Sequence, residues 1–375
     1  MKLSGVTVVD FSQFMAGPMT TAMLADHGAR VIKIEPPGGD PTRHGPRSRP
    51  GQATGDSFQV LNRGKLSVVL DLKAPADQEA ALDLIAEADV VVESFRPGVA
   101  ERLGVGYAAA RARNPDLVYC SLSAFGQTGA LKDLAAHDTV VQGLAGAFAY
   151  DAEGRPTPPS VSLAGVAAAL FAMSAILMGL LSARAGNGGE HIDISMHDAA
   201  LAVRGGMTAA ALAAREDPRA FRPEIGLALT ETYRTLDGGW LCLGAREPRT
   251  IVALLKLLGM AELVEIADKP PGRDQAALRA ALTATIASDT LDNWMEHLAP
   301  LAGAVGPVLT YAEALAHPHT ESRGIILTDE DGAPHLNTPI RFAREPSTPN
   351  LRVATLGQDG DAVPGRSPSG APSEG

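Results

Sequence analysis

The chain reads as an α/β protein with a parallel sheet made of βαβ units. Short β-branched runs recur at 6–9, 31–34, 66–70, 90–92 and 117–122, and helical patterns lie between them at 20–27, 78–86 and 99–114. The length, 375 residues, exceeds one ordinary core, so two domains are expected.

The elements follow in order. Val6, Val8 and Val9 begin a strand that ends before a turn at Ala16-Gly17-Pro18. Pro just inside a helix start, preceded by small residues, leaves backbone N–H groups open to an anion. After that helix a second strand runs from Val31 to Glu35, and a Pro/Gly-rich loop follows with Arg43, His44, Arg47 and Arg49. In a chain of net charge −11, this gathering of arginines beside such a turn points to a phosphorylated small molecule. Further on, 193–196 reads as a short strand and 199–214 as an Ala-rich helix, and the charges and prolines of 216–223 suggest a crossing between domains. From 230 to 307 the pattern is a strand pair around Gly238-Gly239 and then helices at 250–258, 275–287 and 291–298. Residues 308–344 return to mixed α/β character. The organisation expected is a large domain over 1–215, a small one over 225–310, a return to the large domain over 311–358, and a disordered Gly/Ser/Pro-rich tail over 359–375.

Composition narrows the function. With 45% hydrophobic and 20% charged residues the chain is globular, and a pI near 5.3 argues against nucleic acid, which requires a basic face. Cys120 and Cys242 are the only cysteines, outside any CxxC pattern, and the start shows no secretory apolar region. Free packing thiols in the reducing cytoplasm are expected. The uncharged stretch 156–183 is long enough to span a bilayer. It is rich in Ala, Gly and Ser, its one aromatic is Phe171, and no Trp or Tyr belt flanks it, so it reads as a buried helix and no membrane partner is expected. Around His317-Pro318-His319 no acidic or Cys partners converge, and no metal is expected. Ser121, Ser123 and Ser195 lack a GxSxG elbow. Asp237-Gly238-Gly239 is a turn signal. A nicotinamide dehydrogenase needs GxGxxG after the first strand, and Met15-Ala16-Gly17-Pro18-Met19 does not supply it.

Eight patterns stand together in order: GVTVVDFSQFMAGP at the start, LADHGARVIKIEPPGGDPTR, NRGKLSVVLDLK at 62–73, ESFRPGVAERLGVGY at 93–107, NPDLVYCSLSAFGQTG at 114–129, AAHD at 135–138, YRTLDGGWLCLGAREP at 233–248 and EALAHPHTESRG at 313–324. Together they resemble the family III CoA-transferases (CaiB/BaiF), and within them the α-methylacyl-CoA racemase branch. The resemblance implies a Rossmann-like large α/β domain built from both chain ends, a smaller α+β domain between, and an interlocked homodimer. It also implies coenzyme A, carried as an acyl-CoA substrate. Leu70-Asp71-Leu72-Lys73 matches the family segment beside the adenine and its phosphates, and Phe95, Arg96, Arg102 and Ala136 match positions near the nucleotide. Guanidinium forks and a Lys point charge suit phosphate oxygens. Pro36 stands where relatives often carry Arg, and Arg43 is the expected substitute.

In the racemase branch a His and an Asp face opposite sides of the acyl α-carbon. His137, followed by Asp138, stands at the family His, and Glu247 matches the family Glu that holds it; a His with a carboxylate orienter is a sound general base. The family Asp is missing. Gly165 falls on its position, and no Asp or Glu occurs between Arg155 and Gly189. A transferase uses that Asp as nucleophile, so enolate chemistry through His137 is the expected activity. CoA transfer, or a silent CoA-binding partner subunit, is the alternative.

Overall fold

A computed structural model describes residues 1–150, 154–213, 227–269, 273–346 and 348–363. The chain divides into two compact units, Met1–Gly205 with Gly324–Gly375, and Gly206–Arg323. The expected crossing at 216–223 and most of the expected tail lie outside the described residues.

The first unit is built on a six-stranded sheet: β1 (Thr7–Asp10), β2 (Arg30–Glu35), β3 (Leu66–Val69), β4 (Val90–Glu93), β5 (Val118–Ser123) and β6 (Glu190–Ser195). Every pairing is parallel and the spatial order is β3-β2-β1-β4-β5-β6. Central strands buried on both faces need apolar residues in nearly continuous runs, as in Val90, Val91 and Val92. The order reverses between β1 and β4. Their C-terminal ends therefore diverge around a crevice, the place where open α/β sheets receive ligands.

Helices cover both faces. On one lie α1 (Ala16–Asp26) and α7 (Leu163–Ser182); on the other lie α3 (Pro75–Ala86), α4 (Val99–Arg102) and α5 (Tyr107–Arg113). One helix was expected over 99–114, and the structure has two. Gly104 adopts φ +76°, a left-handed turn that breaks the helical path cheaply only for glycine. The unit also contains α2 (Asp56–Asn62), α6 (Asp138–Leu144) and α8 (Met196–Ala202).

The uncharged stretch 156–183 contains α7. Among the described residues, Leu163–Asn187 is the one helix long and apolar enough to cross a bilayer. One of its faces packs on the sheet: Ala167, Ala168, Ala172, Ile176 and Leu180 join Val8, Val90, Val118 and Cys120 in one core. Alanines there let α1 approach, and Thr20 Oγ1 donates across to Ala169 O at 3.3 Å. Leu170, Phe171, Met178 and Leu181 are exposed on the same helix.

Both chain ends build this unit. Gly64 N–H donates to Arg352 O (2.8 Å), Ser67 N–H to Asp359 Oδ2 (2.9 Å), and Val363 is buried in the core under α3 and α5. The second unit has a three-stranded antiparallel sheet, β7 (Thr232–Arg234), β8 (Trp240–Leu243) and β9 (Val305–Pro307), with β8 central. Its core gathers Leu241, Leu254, Leu278, Leu282 and Trp294 from the sheet and the helices Pro248–Leu257, Ala276–Ile286 and Leu291–His297.

Candidate active site

A cavity of about 280 Å³ opens at the crevice between β1 and β4. Its wall comes from the segments that follow three strands: Gln13–Gly17 after β1, Ser94–Pro97 after β4 and Leu122–Ala124 at the end of β5. Lys132, Leu134–Asp138, Ser162, Gly165 and Met196 complete it.

The loop after β1 is held from beneath by buried charge. Lys33 Nζ donates to Ser12 O at 2.7 Å and pairs with Asp40 at 3.0 Å. Lys65 Nζ lies 3.0 Å from Asp10 Oδ2 and also donates to Pro18 O (3.0 Å) and Asn62 Oδ1 (2.8 Å). Burial by itself raises a carboxyl's pKa, but Lys65, Lys33, Ser12 and Thr21 together outweigh it and hold Asp10 at about 2. Burial lowers Lys65 to about 8 against the pull of Asp10. Gln13 N–H donates to Ser94 Oγ at 2.9 Å, which ties the β1 loop to the β4 loop. A Cβ at Gly17 would collide with the Ser12 side chain, which explains the glycine in the turn. Phe14 has φ +66°, the only positive value for a non-glycine among the described residues, and its ring meets the His137 ring edge-on at 6.2 Å. Such backbone is costly for a bulky side chain and persists only where its surroundings impose it.

His137 is the N-cap of α6 and is exposed at the cavity; Asp138 follows as the first helical residue. Asp138 is half-buried and reaches across to the start of α7. Its Oδ1 accepts the Gly165 N–H at 2.8 Å, and its Oδ2 accepts from Gln142 Nε2. A carboxylate is favoured there, because the first N–H groups of a helix lack partners of their own. The Cβ that Gly165 lacks would lie 3.4 Å from Asp138 Oδ1 and 2.6 Å from the ε-methyl of Met15.

The structure brings His137, Asp138, Ala136, Phe95 and Arg96 together around this one cavity. Leu70 is buried at the end of β3, Leu72 is half-buried, and Asp71 and Lys73 are exposed beside them. Arg102 is exposed on α4. Glu247 belongs to the second unit, where it is the exposed N-cap of the helix Pro248–Leu257.

Arg43 is the clear correction. It was expected to face phosphate, but it is buried, with Nε and Nη2 on Glu35 (2.7 and 2.6 Å), Nη1 on Ala354 O (3.0 Å), and its guanidinium 3.9 Å over the Phe58 ring. The strand ending in Glu35 supplies a buried carboxylate that needs a cation, and Arg43 is that cation. Arg47 and Arg49 turn to their own loop and α2, reaching Ala53 O (3.4 Å) and Gln59 Oε1 (3.0 Å).

Sequence reasoning missed Phe14, Met15 and Lys132 of the cavity wall, and Glu93, which stands one residue before the wall segment Ser94–Pro97. Glu93 ends β4 buried, accepting the Phe95 N–H at 2.7 Å. Burial pushes its carboxyl up to about 7, with Glu101 and Asp193 adding to the rise. Met15 directly precedes the Ala16-Gly17-Pro18 turn and was within reach of that signal; no sequence feature marks the φ of Phe14.

Comparison with known proteins agrees with the geometry. The profile of CoA-transferase family III matches residues 3–360. The acetyl-CoA:oxalate CoA-transferase of Acetobacter aceti is 34% identical over 86% of this chain and 85% of its own. The α-methylacyl-CoA racemase of Homo sapiens is 32% identical over 92% of this chain and 90% of its own. The crystal structure of a CaiB/BaiF family protein from Brucella suis superposes with a TM-score of 0.82 at 30% identity, covering 96% of this chain and 98% of that one. An open parallel sheet with its cavity at the strand reversal, and a match that runs nearly end to end, define the class, and the chain belongs to CoA-transferase family III.

Proposed function

We propose that the chain is an acyl-CoA enzyme, resembling α-methylacyl-CoA racemase, that transfers a proton at the acyl α-carbon with His137 as base. The single observation that carries this reading is the cavity's inventory. Among the described residues that line it, the one imidazole is open to a ligand, and the one carboxylate, Asp138, is engaged through both oxygens by Gly165 N–H and Gln142. A mixed-anhydride route needs a free carboxylate nucleophile, and the described residues lining this cavity offer none. Proton abstraction needs only a base and a place for the enolate charge. The His137 imidazole takes the α-proton, the C–H electron pair becomes the double bond between Cα and the carbonyl carbon, the carbonyl π pair moves onto the oxygen as an enolate, and reprotonation at Cα returns the thioester. The N–H groups of Ala16 and Gly17 open α1 at the same cavity and suit that oxygen. Asp138 acts through position, tying the His137 segment to the start of α7. Glu247 is assigned the role of orienting His137, on the family resemblance.

Coenzyme A runs along the C-terminal edge of the sheet in this reading. Three strand spacings separate the end of β3 from that of β4, about 14 Å, a span that an adenosine diphosphate bridges. Phe95, Arg96 and Arg102 then flank one end, and Leu70 to Lys73 the other. The protein is assigned to the cytoplasm, as a homodimer in which a second copy covers the exposed apolar residues of α7.

The test is incubation with 2-methylacyl-CoA thioesters in D₂O. Deuterium at Cα without CoA transfer to a free acid supports the reading, and transfer to an acid acceptor refutes it. Labelling that outruns racemisation is expected from a single base, and Gly165→Asp should raise the racemisation rate by restoring a second one when Met15→Ala vacates the space that its Cβ needs. An unchanged or lower rate would count against Gly165 as the position of the missing carboxylate. The relatives that carry transferase names make CoA transfer the second reading.

A further inference from the structure

Gly165 and Met15 are complementary. The ε-methyl of Met15 lies 2.6 Å, and its sulfur 3.4 Å, from where a Cβ on Gly165 would stand. The thioether therefore fills the place a side chain at 165 would take. Neither residue is loosely placed. Gly165 is pinned by its N–H on Asp138 Oδ1 (2.8 Å). Met15 sits between the strained Phe14 and the first turn of α1, its carbonyl accepting the Met19 N–H at 2.8 Å. The segment leading into it is held by Lys33 on Ser12 O and by Ser94 on Gln13 N–H. Side chains supported in this way present a surface of defined shape.

We propose that Met15 is a specificity-determining residue: paired with Gly165, it closes this side of the cavity with an uncharged apolar wall that accepts the small α-branch of an acyl-CoA. The wall rests on the acyl-CoA reading of the cavity. It selects by volume, since thioether and glycine offer neither charge nor hydrogen bond to the branch, and Phe14, Leu122 and Met196 line the same space. The ligand class is a thioester with a methyl-sized substituent at Cα. Longer α-branches meet the Met15 methyl, and no carboxylate on the branch finds a partner at this wall.

The wall is testable without turnover. S-(2-methylpentyl)-CoA and S-(2-propylpentyl)-CoA are thioethers with no carbonyl, so no α-proton chemistry occurs and affinity alone is read by calorimetry. One or two methylenes in an apolar pocket discriminate by roughly ten- to two-hundredfold. The native chain is expected to prefer the methyl-branched ligand by about tenfold or more. Met15→Ala should bring the two affinities within about threefold of each other, by the same pocket arithmetic. Gly165→Ala pushes the Met15 methyl into the cavity, so it should weaken the methyl-branched ligand in the native background and have no effect beside Met15→Ala. That non-additivity is the signature of a contacting pair. Should Met15→Ala fail to fold, Gly165→Ala and the volume-conserving Met15→Leu carry the test, the latter keeping the native preference.

An unchanged preference in Met15→Ala, or equal effects of Gly165→Ala in both backgrounds, overturns the proposal. If the preferences behave as stated but no α-proton exchange occurs with 2-methylacyl-CoA thioesters, the wall stands and the enolate reading falls. If the native chain binds neither thioether, both fall.

Discussion

At the residue scale, burial sets the charge of the residue that ends β4, one position before the cavity segment Ser94–Pro97. That residue is Glu93. Unfolded, a glutamate titrates near its ordinary value of 4.5; folded, burial raises this one to about 7. Between those two values the folded chain keeps a proton that the unfolded chain has lost. The native state is therefore favoured below about pH 4.5, and that advantage drains away as pH rises through 7. A shift of this size corresponds to a few kcal/mol at most. Glu93→Gln should abolish the slope, so that the melting temperature of the native chain, compared with the variant, falls between pH 5 and pH 7. Parallel melting curves across that range would show that Glu93 titrates normally. His137 is the second residue-scale prediction. His137→Gln should cut α-deuterium exchange by roughly 10²- to 10⁴-fold, with thioether affinity by calorimetry largely retained, and residual exchange near the native rate would remove it as the base.

At the element scale, one arginine joins four pieces of the large unit. Arg43 bonds Glu35 at the end of β2, Ser67 in β3 and the Ala354 carbonyl near the C-terminus, and covers Phe58 of α2. Replacing it strands a buried carboxylate. Arg43→Met is expected to cost about 3–5 kcal/mol in urea unfolding, and a loss below about 1 kcal/mol, the range of a surface ion pair, would show that the pair does not hold these elements. The sequence made the same arginine look like a phosphate ligand, because clustering in a loop says nothing about which way a side chain turns. The first five strands were read to within a residue, since continuous Val/Ile runs leave few alternatives, while β6, expected from 193, begins three residues earlier at Glu190. Helix ends were read less well. The break between α4 and α5 depends on Gly104 taking a left-handed turn, and glycine in a sequence only permits such a turn.

At the scale of the whole molecule, α7 has one face on the sheet and Leu170, Phe171, Met178 and Leu181 in the open. Large side chains left uncovered along one helix mark a contact surface, which the proposed homodimer uses. Met178→Glu with Leu181→Glu should convert a dimer into a monomer by sedimentation velocity, and a native chain that sediments as a monomer at micromolar concentration would remove the dimer. The same helix carries Gly165 into the cavity at its first turn, so the element proposed to meet a second copy also shapes the site.

Sequence by itself determined the α/β class, the parallel sheet, the family, and the residues His137, Asp138, Phe95 and Arg96 that share one cavity. Those properties follow from local periodicity and from ordered motifs, which survive without coordinates. Only the tertiary structure decided that Arg43 is an internal counter-ion, that Asp138 is bound to the start of α7, and that the Met15 methyl fills the space at Gly165. The last two are contacts between segments far apart in the chain, and the first pairs Arg43 with a carboxylate eight residues away in a pocket closed by Ala354 and Phe58. Such contacts are set by how the elements pack, and the direction of a side chain is fixed only when its neighbours are in place.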